Sequence, residues 1–238
     1  MLKARRTTCS GYVRLIELSK TFNLGFHLEF ITNDSLKLSN HEVPWSIKEP
    51  EAKILFNLVL ENKIQKGFEI ATAFGISSTI TGEALKITGG RLVTMDAYVE
   101  EFFNSSTKYG IDTKIINFKE SHGYQMAKLL HESLKINHVV KLAVGWSPDN
   151  VAEIILENFQ DNKLDYAFID GGHSAKQVEA DVNVILPNMG KDSLLVFHDF
   201  ICIPENVKKT IRTEFDNMKE YHTEFCLAAY SRGNKTLV

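Results

Sequence analysis

Cysteine is scarce in this chain: three residues, Cys9, Cys202 and Cys226, stand far apart among 238. An odd number with no Cys-x-x-Cys pair supports neither a disulfide framework nor a zinc ribbon, so the thiols are expected to be reduced and partly buried. Long apolar runs are equally missing, since no stretch approaches the roughly 18 residues of a membrane span. The basic opening, Met1-Leu-Lys-Ala-Arg-Arg, runs into Thr7-Thr-Cys-Ser and not into the apolar core of a signal peptide. The expectation is a cytoplasmic protein with no membrane partner, in which Asn104-Ser-Ser and Asn234-Lys-Thr match glycosylation triplets by chance. An excess of one charge is absent too: 27 Lys and Arg face 30 Asp and Glu, for a net charge of −3. Without a basic stripe, no nucleic-acid partner is expected.

What remains is an ordinary globular composition, 44% hydrophobic and 24% charged, enough to bury a core without metal or disulfide staples. Nothing repeats at a fixed period, and no low-complexity linker divides the chain. Tyr12, Leu15, Ile16 and Phe22 fall at near-helical spacing, which predicts an amphipathic helix over 10–22. Residues 1–45 are read as an N-terminal extension that covers the main fold or contributes to a homo-oligomer, and 46–238 as the main domain.

From Glu49-Pro50 onward helices and strands alternate. Ile54, Leu55, Leu58 and Val59 mark one helix face. Gly67-Phe-Glu-Ile-Ala reads as a strand, and a helix follows with apolar positions 76, 80, 84 and 87, stopped at Gly89-Gly90. Arg91-Leu-Val-Thr-Met is the next strand, with Asp96 at its end. A helix over about 124–136, a strand from Val139 to Val144 and a helix from Val151 come next. Asp165 to Ile169 is a buried-type strand ending in Asp170. Ser174-Ala-Lys-Gln177 has capping-box form and opens a helix that faces the sheet through Val178, Val182 and Ile185. Ser193 to Phe197 ends at His198-Asp199. This alternation predicts an α/β fold with a parallel sheet wrapped by helices. Phe225 to Tyr230 and Lys235 to Val238, around Arg232-Gly-Asn, read as a hairpin that adds an antiparallel strand.

Ligands of such sheets bind beyond the carboxyl ends of the strands. Five groups fall on that rim: Glu69 with the turn from Ala71 through Gly75 to Ser77, then Asp96, Gly145-Trp146-Ser147, Asp170 to His173, and His198-Asp199. Small residues in the first turn let backbone approach a ligand, although a purely structural turn would look the same. Asp96 can accept both hydroxyls of a ribose, or cap a helix. Asp170 and Asp199 end strands that should be neighbours, about 4.8 Å apart. Carboxylates so close repel unless a cation or a shared proton intervenes. With His198 and His173 beside them they form a candidate metal site, whose oxygens suit magnesium and whose imidazoles permit manganese, iron or zinc; magnesium or manganese is the expected ion. The alternative is an Asp that caps the next helix beside a packed His198. His173, three residues past a strand-end Asp, is a candidate general base, since imidazole titrates near neutral pH. Histidines 27, 41, 122, 131, 138 and 222 show no partner pattern.

These residues resemble a known family. Asp165-Tyr-Ala-Phe-Ile-Asp-Gly-Gly-His-Ser, followed about 25 residues later by Leu194-Leu-Val-Phe-His-Asp-Phe, is similar to motifs of the class I, Rossmann-like S-adenosylmethionine-dependent methyltransferases. The small-molecule O-methyltransferases and the macrocin-type sugar-modifying enzymes, whose Asp-Gly-x-His motif supplies a magnesium ligand and a catalytic histidine, are the nearest groups. The resemblance covers about residues 50–238. It implies a doubly wound, mostly parallel seven-stranded sheet with an antiparallel C-terminal hairpin strand. By that resemblance Glu69 to Ser77 wrap the methionine part of S-adenosyl-L-methionine, Asp96 holds its ribose, and Gly145-Trp146-Ser147 line its adenine. Asp170, which also borders the cofactor, holds a divalent metal with His198 and Asp199, and His173 is the base. Ala71 and Ala73 stand where the family's first motif has glycine, and His198 where the macrocin-type enzymes have Glu.

The implied activity is metal-assisted O-methylation of a hydroxyl on a small-molecule acceptor, a sugar or natural product among them. A non-catalytic member that binds cofactor or a partner is the alternative, motivated by the altered glycine turn. A nicotinamide-dependent oxidoreductase comes third, because no G-x-G-x-x-G follows the first strand.

Overall fold

The computed structural model describes residues 37–38, 41–42, 47, 49–98, 121–160, 163–223 and 226–238. The helix expected over 10–22, most of the 1–45 extension and residues 99–120 lie outside these. The main elements are α1 (Glu49–Glu61), β1 (Lys66–Ile70), α2 (Ile76–Thr88), β2 (Arg91–Asp96), α3 (His122–Ser133), β3 (Val140–Val144), α4 (Val151–Phe159), β4 (Leu164–Ile169), α5 (Ala175–Ile185), β5 (Met189–Phe197), α6 (Glu205–Glu214), β6 (Asn217–Tyr221) and β7 (Leu227–Arg232). Lys37–Leu38 and His41–Glu42 form a short antiparallel ladder apart from the main sheet. No described helix is long and apolar enough to cross a membrane.

The seven strands run in the order β3-β2-β1-β4-β5-β7-β6. The first five are parallel, and β7 and β6 close the sheet antiparallel. Strand order reverses between β1 and β4, the switch point where open sheets of this kind leave a crevice for ligand. Side chains alternate across the sheet with period two. Tyr166 and Phe168 pack with Leu55, Leu58, Ile80, Leu85 and Leu130 of α1, α2 and α3. Ala167 and Ile169 pack on the other face with Ile155, Val178, Val182 and Ile211 of α4, α5 and α6. Both faces are therefore covered, which is why Tyr166 to Ile169 of β4 and Leu194 to Phe197 of β5 are continuous apolar runs.

Two expectations are corrected. Ile87 was placed on the buried face of α2, but it is exposed, and Leu85 is buried in its place. The C-terminal hairpin joins β6 to β7, with Tyr221 opposite Leu227, and Lys235 to Val238 form no strand. These last residues are instead pinned to the end of α1. The Asn62 amide donates to the Thr236 carbonyl at 2.9 Å, and the Thr236 N–H returns to Asn62 Oδ1 at 2.7 Å. The capping box is half realised: Ser174 Oγ accepts from the Gln177 N–H, while the Gln177 side chain turns to the cavity wall described below.

Helix α2 begins at Gly75 (φ 82°) and ends at Gly89 (φ 78°), both left-handed. Gly75 has a second reason to be glycine. A Cβ there would lie 2.7 Å from Ala127 Cβ and 2.8 Å from Ala127 Cα on α3. Gly75→Ala therefore combines backbone strain with a clash against a helix, and is expected to lower unfolding free energy by about 2–4 kcal/mol in urea titrations.

His131 is buried where α3 packs on α2, its Nε2 2.9 Å from Ser78 Oγ. Burial holds its pKa down to about 4. In the unfolded chain an imidazole takes up its proton near pH 6.5. Between these values the unfolded state binds the extra proton, so stability is complete above about pH 6.5 and is lost as pH falls towards 4, by up to about 3 kcal/mol. Glu69 acts with the opposite sign. Burial raises its carboxyl to about 8, so its contribution is present below about pH 4.5 and fades as pH rises towards 8. Denaturant midpoints measured from pH 7.5 to 5 should fall less for His131→Gln than for the native chain.

Candidate active site

The first rim turn carries three left-handed residues in five: Ala71 (φ 74°), Ala73 (φ 45°) and Gly75 (φ 82°). For alanine that conformation costs about 1–2 kcal/mol each, and the surrounding hydrogen bonds hold it. The Ala71 and Thr72 N–H groups donate to the Met95 carbonyl at 2.8 and 3.2 Å, and the Gly75 N–H to the Thr72 carbonyl at 2.7 Å. Asp96 completes the clamp, accepting from the Ala73 N–H at Oδ2 (2.9 Å) and from the Tyr98 N–H at Oδ1 (2.8 Å). Burial pushes the Asp96 carboxyl up, and these backbone donors pull it back.

A cavity of about 610 Å³ opens at the switch point, within the range of small-molecule sites. Of the nine residues expected to touch a cofactor, six line it: Ala71, Asp96, Gly145, Trp146, Ser147 and Asp170. Glu69, Gly75 and Ser77 do not. Glu69 points from β1 towards α2, where it is buried and accepts from Ser77 Oγ at 2.6 Å, and Gly75 is packed beneath Ala127. Ala73, Gly171 and Gly172, from the expected rim segments, also line the cavity, and so do Gln177 and Asp181, which the sequence did not place there. Burial pushes the Asp181 carboxyl up against hydrogen bonds from Ser147 and Gln177.

The acidic and imidazole groups converge because β4 and β5 are neighbours, with Ile169 opposite Phe197. Asp170 and His198-Asp199 then leave the sheet side by side, and Asp199 takes a left-handed conformation (φ 49°). His198 is enclosed. Its Nδ1 lies 3.0 Å from Asp170 Oδ1 and 3.2 Å from Asp199 Oδ2, and its Nε2 lies 3.4 Å from Glu51 Oε2. Burial alone would lower its pKa, but Asp170, then Asp199 and Glu51, lift it to about 12. For Asp170, burial raises the pKa and His198 opposes that rise.

The expected metal set was Asp170, His198 and Asp199. The geometry groups different atoms: ligand atoms of Asp170, His173 and Asp199 lie within 4.8 Å of one another, whereas both ring nitrogens of His198 face carboxylates. His173 is half-exposed, with Nε2 3.1 Å from Asp199 Oδ2. Two carboxylates beside an imidazole suit a hard divalent cation, so the residues fit such a group. Glu51, supplied by α1 from 147 positions away, had no signal in the sequence.

Solved structures of similar fold include an O-methyltransferase from Bacillus cereus in complex with S-adenosylhomocysteine (TM-score 0.60, 15% identity, 94% of this chain and 91% of that one). TomG of Streptomyces achromogenes, an O-methyltransferase involved in tomaymycin synthesis and solved with S-adenosylmethionine, aligns with TM-score 0.61 and 14% identity over 94% of this chain and 90% of that one. The methyltransferase PaMTH1 of Podospora anserina, bound to S-adenosylhomocysteine, gives 0.60 and 11% over 94% and 88%. At these identities the likeness is one of fold. No curated protein matches the sequence significantly. Residues 68–200, more than half of the chain and including every strand of the parallel sheet except the first residues of β1, match the family profile described as a methyltransferase domain, and the chain belongs to that family.

Proposed function

We propose that this protein is an S-adenosylmethionine-dependent O-methyltransferase that acts, with a divalent metal, on a hydroxyl of a small molecule such as a sugar or other natural product. The observation that carries the reading is the convergence of Asp96, Asp170, His173 and Asp199 on one cavity at the switch point. That the similar structures named above bind S-adenosylmethionine or its product supports it.

When bound, S-adenosylmethionine supplies a methyl group already activated on a sulfonium, and a magnesium or manganese ion lowers the pKa of the acceptor hydroxyl. Asp96 takes the ribose hydroxyls through the lone pairs its backbone donors leave free. Trp146, half-exposed on the rim, offers its face to the adenine. Asp170 and Asp199 hold the metal. His173 accepts the hydroxyl proton, and Asp199 orients its ring, as a carboxylate commonly does for a catalytic imidazole. His198, clamped between Glu51, Asp170 and Asp199, fixes the two metal-binding carboxylates instead of ligating.

Calorimetric titration with S-adenosylhomocysteine and with NAD tests the cofactor. Micromolar affinity for the first and none for the second is expected, and the reverse would sink the reading. Release of S-adenosylhomocysteine across sugar and aromatic hydroxyl acceptors, with and without EDTA, tests the reaction. The left-handed Ala71 and Ala73, which line the cavity where the resembling family has glycine, favour one second reading: a protein that binds cofactor without turnover.

A further inference from the structure

The sheet has two outer edges, and they are built differently. β6 carries Lys219 and Glu220 among its five residues, the kind of charge that keeps an edge from pairing. β3, Val-Lys-Leu-Ala-Val, carries one charge and is otherwise apolar. The Leu92 N–H donates to the Val139 carbonyl at 2.7 Å, and the Gly145 N–H to the Asp96 carbonyl at 3.0 Å. Odd-numbered residues of β3 therefore turn their amides towards β2, and Val140, Leu142 and Val144 turn theirs outward. The Val140 N–H is taken by the Ile136 carbonyl at 2.8 Å. The N–H and C=O groups of Leu142 and Val144 have no partner among the described residues.

A cavity of about 480 Å³ runs along this edge, with no lining residue in common with the switch-point cavity. Its two sides differ. Val93 packs with Ile155 of α4 and is the register partner of Lys141, so Lys141 and Arg91 lie on the α4 side. The Arg91 guanidinium sits 5.0 Å from the centre of the Phe159 ring, and Lys141 Nζ donates to Asn158 Oδ1 at 2.7 Å. Among the described residues neither cation has a carboxylate partner. On the α3 side Leu142 shares a face with Val140, which packs with Leu130, and Val144 on that same face is 40% exposed. Lys128 and Glu132 of α3 pair with each other at 3.9 Å, so the unbalanced charge is on the α4 side.

We infer that the open edge of β3 is a docking site for an extended segment of a partner protein in which acidic residues alternate with apolar ones. A strand laid along β3 places successive side chains on opposite sides. The acids meet Arg91 and Lys141, the apolar residues cover Leu142 and Val144, and the backbones pair. Charge decides the occupant. A second copy paired about Leu142 would set Val140 opposite Val144 and bring both Lys141 and both Arg91 to one side, where no carboxylate lines the cavity. An acidic strand neutralises the same groups.

The probe is a fluorescein-labelled heptapeptide of alternating valine and glutamate, titrated with the full chain near neutral pH by fluorescence anisotropy. It should bind at least about tenfold tighter than its valine–lysine counterpart, and more weakly in high salt. Lys141→Glu, at an exposed position, should reverse that preference while S-adenosylhomocysteine affinity changes by less than about twofold. Strand pairing is read with probes N-methylated at alternate residues. Amides of one parity face β3, so methylating those should weaken binding at least about tenfold, and methylating the others by less than about twofold. Equal loss from both sets overturns the proposal, as does an unreversed charge preference or a native chain that binds neither peptide. Light scattering tests the remaining occupant. Proline is tolerated on edge strands, so a native dimer that Leu142→Pro converts to monomers would assign the edge to a second copy and overturn the proposal too.

Discussion

Asp96→Ala is expected to weaken S-adenosylhomocysteine binding by about a hundredfold or more. A hydrogen bond to a charged acceptor is worth about 1.5–3 kcal/mol, and two ribose hydroxyls would share this carboxylate. The substitution also frees the Ala73 and Tyr98 N–H groups, which Asp96 now holds at 2.9 and 2.8 Å. The turn from Ala71 to Gly75 loses a clamp on a conformation that alanine resists, so part of the loss would arise from a looser turn. Asp96→Asn retains one acceptor oxygen and should fall between the two. Calorimetry reads the affinities directly. A change smaller than about threefold in a variant with an unaltered melting curve would mean that the ribose is held elsewhere.

His173→Ala is expected to reduce methyl transfer by about 10²- to 10⁴-fold, the usual contribution of a positioned base, while S-adenosylhomocysteine affinity changes by less than about twofold. His173 is half-exposed, so the variant should fold. A titration with Mn²⁺ separates the two roles the geometry allows. A base lost from beside the metal leaves Mn²⁺ affinity nearly intact, whereas a lost ligand lowers it by about 10- to 100-fold, as mutation around metal sites commonly does. Since Asp170, His173 and Asp199 offer atoms within 4.8 Å of one another, only this measurement assigns the imidazole.

The parallel half of the sheet was legible because its inner strands β4 and β5 are covered on both faces and carry the apolar runs Tyr166 to Ile169 and Leu194 to Phe197, and the site was legible because ligands gather at the ends of such strands. The outer hairpin was not. Asn217-Met-Lys-Glu-Tyr is an edge strand with one buried residue, so it carries no alternation to detect, and the more apolar Lys235 to Val238 drew the pairing instead. Glu69 and Ser77 sit on the rim in sequence, yet the two-residue period of β1 turns Glu69 towards α2. Asp181 was findable in principle. It falls with Val178, Val182 and Ile185 at 3- and 4-residue spacing, so a charge was written into an apolar stripe, which calls for a partner. Glu51 had no such mark, because an acid in the first turn of a helix is ordinary.

Helix α1 touches the acidic centre through Glu51 near one end and the chain's last residues through Asn62 just past the other. At 1.5 Å per residue the two contacts are about 16 Å apart along one rod. Shortening the chain beyond β7 would unseat the far end of that rod, and the disturbance would arrive at His198 and its carboxylates without the loss of a single cavity-lining residue. Truncated or frameshifted forms of this protein would then resemble active-site lesions in assay, although what they lack is a splint.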